Sequence, residues 1–209
     1  MSLENNETPN ILKKTIIYGV LLGVFSLITS VISLYITKTA TGLITSAILA
    51  GVINYVLFIA VAVFFTIALR KAIGGYWSFS TALKTIFIMF AINTVISTLG
   101  TMMVNQMMPT LQEESIDNTL NLTIELLEST GVSDEQIDAK IAEIEQQKED
   151  LANLTIGQQI KGLMVYFLLY FVVALIFAAI FKKEKPIFYK VPASNPAFPE
   201  DDNQISPNS

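Results

Sequence analysis

Four long uncharged apolar runs divide this chain, at residues 15–36, 43–69, 85–108 and 162–181, and one sizeable polar stretch lies between the last two. Roughly 20 apolar residues at 1.5 Å rise each cross the hydrocarbon of a bilayer, and backbone groups there must be satisfied within their own segment, which selects helix over strand. The pattern therefore predicts an all-α integral membrane protein with four transmembrane helices, over 15–36, 43–69, 85–108 and 161–181. Lys13 and Lys14 stand before the first run in the manner of a signal peptide. Its apolar stretch, however, far exceeds the roughly 7 to 15 residues of such a leader, so it is read as a span.

The polar stretch, 109–160, predicts a different kind of helix. Ile116, Leu120, Ile124 and Leu127 recur at i, i+4, i+8 and i+11, and Ile137, Ile141, Ile144 and Leu151 at i, i+4, i+7 and i+14, so each set forms one apolar stripe. Gly131 between them supplies a left-handed stop, and Ser133 with Gln136 has the form of a capping box opening the second helix. The expectation is an extracytoplasmic amphipathic helical hairpin between helices 3 and 4. Twelve acidic residues against two lysines give it a net charge of −10. Residues 182–209 are basic and then rich in proline, with Pro186, Pro192, Pro196, Pro199 and Pro207 among few apolar residues. That composition cannot build a core and predicts a disordered cytoplasmic tail.

Basic residues set the expected orientation. Nine of them (Lys13, Lys14, Arg70, Lys71, Lys84, Lys182, Lys183, Lys185, Lys190) fall on one side of four spans and four (Lys38, Lys140, Lys148, Lys161) on the other. The positive-inside bias then puts residues 1–14 and the C-terminal tail in the cytoplasm, and 109–160 outside. Tyr35, Tyr76 and Trp77 lie near span ends, where amphipathic rings favour the interface.

Composition narrows the chemistry more than it names it. The chain is 52% hydrophobic and 15% charged, against about 25% charged in soluble domains. A net charge of −5 leaves no basic surplus to neutralise phosphates, which argues against nucleic acid as a partner. With no Cys and no His there is no thiol nucleophile, axial-histidine haem, His/Cys zinc site or Ser-His-Asp triad. No cofactor and no metal ion is expected.

Within the first span Gly19, Gly23, Ser26, Ser30 and Ser33 share one face, which permits close approach of another helix. Packing against the other helices of the same chain is favoured over a homodimer. Leu22 sits about 100° around the helix from that face and is expected to tolerate truncation. Asn54 and Asn93 are the most polar groups deep in the spans, where no Asp, Glu, Lys or Arg occurs. Proton relays and carriers of charged solutes place ionisable groups at such depth, so these amides read as interhelical hydrogen-bonding groups, with hydroxyls such as that of Ser30 as partners. The two differ by seven residues in depth and are not expected to meet. Met102, Met103, Met107 and Met108 are read as flexible filling rather than a soft-metal site. Ser80 and Lys84, one turn apart, are read as a helix start and a snorkelling lysine rather than a catalytic pair.

Three segments together carry a resemblance: Gly74-Gly75-Tyr76-Trp77-Ser78-Phe79 followed by Lys84, the outer turn Gly131-Val132-Ser133-Asp134-Glu135-Gln136-Ile137, and Lys182-Lys183. In this order they resemble the bacterial membrane family called domain of unknown function 4199. The resemblance implies a four-helix inner-membrane protein and brings no activity or binding residue with it. The expected role is non-enzymatic, a scaffold or accessory subunit meeting a protein partner through the outer hairpin. The alternative is a channel or carrier for a small neutral solute, lined by Asn54, Asn93, Thr94, Thr98 and Thr101. The orientation is checked by labelling. Cysteines placed at Ser129 and Ser133 react with an impermeant maleimide in intact cells, and one at Ser78 reacts only after permeabilisation; the opposite pattern inverts the topology.

Overall fold

The computed structural model describes residues 8–152 and 156–184. Its elements are α1 (Thr8–Thr39), α2 (Leu43–Gly51), a π-helical turn (Val52–Val56), α3 (Leu57–Ala72), α4 (Phe79–Met107), α5 (Pro109–Ser129), α6 (Asp134–Ala152) and α7 (Ile156–Phe181). Four stretches are long and apolar enough to cross a membrane: Asn10–Thr39, Leu43–Ala72, Phe79–Met107 and Lys161–Phe181. The second of these joins α2, the π turn and α3. Among the described residues no strand occurs, only an isolated bridge between Trp77 and Lys183. The proline-rich tail expected after Lys185 lies outside the described residues.

Helix ends follow capping rather than hydropathy. α1 already begins at Thr8, so Lys13 and Lys14 are helical and lie within what reads in sequence as a tail. α4 begins at Phe79, six residues before its apolar run, because the Ser78 hydroxyl accepts the Thr81 N–H at 3.3 Å. Polar residues at these extensions reach the headgroups along flexible stems, so the helix continues past the apolar boundary. α3 stops where Gly74 and Gly75 take φ of +86° and +84°, a left-handed geometry that a Cβ disfavours.

The centre of the bundle is the seam between α1 and α4. A Cβ built on Gly19 would lie 2.8 Å from the Ile92 Cβ, one on Gly23 2.8 Å from the Ile96 Cβ, and one on Gly100 2.6 Å from a Leu27 methyl. Each step of four along α1 matches a step of four along α4, so the two run parallel in constant register. α7 packs on the far side of α4, and the second span packs on α1. Leu22 departs from the expectation: it is fully buried, in a core with Ala62, Leu69, Ile86, Met89 and Phe90. The cause is that α1 has two covered faces. Its small residues meet α4 while the adjacent face meets α3. Rings of Phe58, Phe90 and Tyr170, with centroids 5.5 to 6.0 Å apart, join α3, α4 and α7.

At the opposite end from the Gly74–Gly75 turn, α5 is tied to the α1–α2 connection. Asn118 Nδ2 donates to the carbonyls of Thr37 at 2.7 Å and Ala40 at 3.0 Å, and Lys38 pairs with Glu114. These carbonyls lie at a helix end and would otherwise lack partners. α5 ends in a Schellman motif, in which Gly131 has φ +73°, its N–H bonds the Glu128 carbonyl and that of Val132 bonds the Leu127 carbonyl. At the start of α6 the Ser133 carbonyl accepts from the N–H groups of Gln136 and Ile137. α6 folds back on α5, burying Ile137 and bringing Lys148 Nζ to 2.6 Å from Asp117. That hydrogen bond raises the Lys148 pKa above its ordinary value.

Truncating the two neighbours Leu21 and Leu22 separates the packed from the lipid-facing side. Leu22→Ala removes a fully buried side chain and is expected to cost about 2 to 5 kcal/mol. Leu21→Ala, at a position 49% exposed, is expected to cost less than about 0.5 kcal/mol. Unfolding in mixed micelles compares the two, and equal losses would contradict the placement of α1.

Candidate functional site

The polar groups that sequence reading singled out inside the spans are brought together in two pairs, both through α1. Ser26 Oγ donates to Asn93 Oδ1 at 2.9 Å, and Asn54 Nδ2 donates to Ser33 Oγ. Ser26 and Ser33 are two helical turns apart, a rise of about 10 Å, so the amides of the second and third spans serve different levels of one helix. Ser30 lies between those levels, half-buried. The partners are thus Ser26 and Ser33 rather than Ser30, because the face of α1 turns from α4 toward the second span as it rises.

Local structure explains how each amide reaches its serine. Asn54 lies in the π turn Val52–Val56, where the Leu57 N–H reaches back five residues to the Val52 carbonyl. The wider turn changes which carbonyls the backbone satisfies, and the Asn54 side chain also donates to the Ala50 carbonyl at 3.0 Å. Asn93 is fully buried against the Gly23 backbone, its own carbonyl lying 3.3 Å from where a Gly23 Cβ would be. Among the described residues its Nδ2 has no hydrogen-bond partner. Thr66 Oγ1 and Asn105 Oδ1 are likewise covered and without a partner among the described residues. In a low-dielectric interior an unbonded donor of this kind costs roughly 1 to 3 kcal/mol.

The hydroxyls proposed beside these amides are distributed otherwise. Thr94 is buried and donates to the Phe90 carbonyl at 2.8 Å within its own helix, while Thr101 is exposed. Thr98, between them along α4, is half-buried. Amides and hydroxyls hold neutral hydrogen-bonding groups and do not change charge near neutral pH. The methionines at the far end of α4 are largely exposed, Met103 at 62% and Met107 at 77%. Ser80 and Lys84 are both exposed on the first turns of α4. Among the described residues no three acidic side chains converge as a metal ion would need.

A second constellation joins the α3–α4 turn to the end of α7. The Trp77 N–H donates to the Lys183 carbonyl at 2.8 Å and the Lys183 N–H to the Trp77 carbonyl at 3.2 Å. Trp77 Nε1 and Arg70 Nη1 both donate to the Phe181 carbonyl, at 2.8 and 3.4 Å. Trp77 is only 4% exposed, so it is a clasp between the α3–α4 turn and the end of α7 rather than a free interfacial ring. No local periodicity signals a contact across more than a hundred residues. The one clue was that Gly74–Phe79 and Lys182-Lys183 belonged to the same resemblance.

A family model described as protein of unknown function (DUF4199) matches residues 16–183, which run from the first span to the clasped Lys183. No curated protein and no solved structure matches the chain.

The Ser26–Asn93 pair is measured by a double-mutant cycle. Ser26→Ala and Asn93→Ala are expected to show a coupling of about 0.6 to 1.7 kcal/mol, the range for hydrogen bonds between membrane helices. Additive effects in mixed-micelle unfolding would mean that the bond contributes nothing.

Proposed function

The chain belongs to the DUF4199 family, and from that premise we propose that it is a non-enzymatic multi-pass protein of the bacterial inner membrane with cytoplasmic termini. It serves as a scaffold or accessory subunit, presenting the acidic α5–α6 helix pair outside the membrane to a protein partner. The observation that carries this reading is the attachment of the pair. Asn118 and Glu114 fix α5 to the end of the bundle, while α6 packs on α5 and keeps Asp134, Glu135, Asp138, Glu149 and Asp150 exposed. A docked platform of one charge sign favours a partner with a basic surface and speeds its encounter. The nine-to-four distribution of basic residues supports the orientation.

The second reading, a channel or carrier for a small neutral solute, draws on the buried Asn93 Nδ2, which has no hydrogen-bond partner among the described residues. The rings of Phe58, Phe90 and Tyr170 close the bundle at that level, so a solute path would need them to part.

One experiment addresses both readings. The tagged chain is purified in mild detergent beside a variant carrying Asp134→Asn, Glu135→Gln, Asp138→Asn, Glu149→Gln and Asp150→Asn. A single stoichiometric partner is expected with the first and reduced at least about tenfold with the second, a factor equivalent to 1.4 kcal/mol. Reconstituted in liposomes, the unmodified chain is expected to leave flux of glycerol and urea at the level of protein-free vesicles. Reproducible flux abolished by Asn93→Leu would establish the second reading in place of the first.

A further inference from the structure

The clasp gathers positive charge at the ends of two helices. Arg70 and Lys71 close α3, Lys182 and Lys183 follow α7, and the two-way backbone bond between Trp77 and Lys183 draws these ends together. Arg70 spends one N–H on the Phe181 carbonyl, which leaves the rest of its donor fork free. Lys183 Nζ stands 5.1 Å over the Tyr76 ring, and Lys71, Lys182 and Lys183 are exposed. Among the described residues none of these four cations is in an ion pair, although Glu184 is adjacent in sequence. At the other end Lys38, Lys140 and Lys148 are each neutralised by a carboxylate, and among the described residues Lys161 there is in no ion pair.

We propose that Arg70, Lys71, Lys182 and Lys183 form a binding site for the phosphodiester of an anionic phospholipid headgroup. Charge complementarity and depth both select this occupant. Unpaired guanidinium and ammonium groups present the planar fork and point charges that phosphate oxygens accept. They lie where the second and fourth apolar stretches end, beside Tyr76 and Trp77, at the level where amphipathic rings and lipid phosphates sit. A basic cluster between helix ends draws anionic lipid there at high local concentration, whereas soluble phosphate is screened and dilute. The proposal rests on the helices spanning a bilayer and is independent of the scaffold role and of which side faces the cytoplasm.

Trp77 is the sole tryptophan of the chain, and it reports on this site. The full-length protein is reconstituted in phosphatidylcholine containing increasing fractions of a nitroxide-labelled lipid with the label near the headgroup, either phosphatidylglycerol or phosphatidylcholine. Half-maximal quenching of Trp77 is expected at about fivefold lower mole fraction with phosphatidylglycerol, on the scale of one lysine's attraction to an anionic surface. The variant Lys71→Gln/Lys182→Gln/Lys183→Gln keeps the Arg70 and Trp77 contacts to Phe181. Its unquenched emission in pure phosphatidylcholine is expected to match the parent, which shows that the clasp is intact, and its preference is expected to fall to near parity. Lys161→Gln, at the other end, keeps the preference. Parity in the parent, or full preference in the triple variant, would overturn the proposal. Loss of the preference in 10 mM inorganic phosphate, but not in NaCl of equal ionic strength, would also overturn it by assigning the site to soluble phosphate.

Discussion

Everything else in this bundle depends on how closely α1 can approach α4. Lipid chains are as apolar as leucine, so helices inside a bilayer are held together by packing and hydrogen bonds rather than by the hydrophobic effect. At Gly19, Gly23 and Gly100 there is no room for a Cβ, and it is this proximity that lets the Ser26 hydroxyl reach the Asn93 amide. With α4 seated on that face, the second span takes the neighbouring face of α1 and α7 takes the other side of α4. The small-residue stripe is therefore occupied within the chain at Gly19 and Gly23, and a second copy could use it only by displacing α4.

The distribution of charge follows from the same dry interior. Polar groups within the spans are neutral amides and hydroxyls, two pairs of which join helix to helix, while the acidic and basic side chains lie at the two ends. The ends are unlike each other. One carries a helix pair of net charge −10 whose lysines are paired with carboxylates, and the other carries cations that have no such partners among the described residues, around a backbone clasp. A molecule built this way has an acidic end and a basic end connected by a packed apolar core.

Much of this architecture was legible in the residues because hydropathy and periodicity are local signals. The four apolar runs, the paired stripes of α5 and α6 and the left-handed Gly131 are each written within a few turns of chain. What periodicity cannot say is which neighbour covers which face. Leu22 is buried because α1 has two neighbours, and a stripe argument with one neighbour in view places it wrongly. Ser26 and Ser33, not Ser30, receive the amides because the relevant face rotates between α4 and the second span. The Asn118 contacts to Thr37 and Ala40 and the Trp77–Lys183 pairing join residues about 80 and 106 positions apart, and nothing in their local sequence encodes the partner. The candidate site was legible as residue types and depth, and its unpartnered Asn93 Nδ2 only as geometry.

The parallel register of α1 and α4 is the central claim, and the absence of native cysteine makes disulfide trapping its most direct measurement. Gly23 and Ile96 face each other so closely that cysteines there need to separate by only about 1 Å to reach the Cβ spacing of about 3.8 Å found in disulfides. Oxidation of Gly23→Cys/Ile96→Cys in membranes is predicted to give a crosslink within one chain, seen as a faster monomer band without reductant, while Gly23→Cys alone stays monomeric. A double variant that stays reduced, or a Gly23→Cys variant that forms a covalent dimer in high yield, would contradict the seam on which the bundle is built.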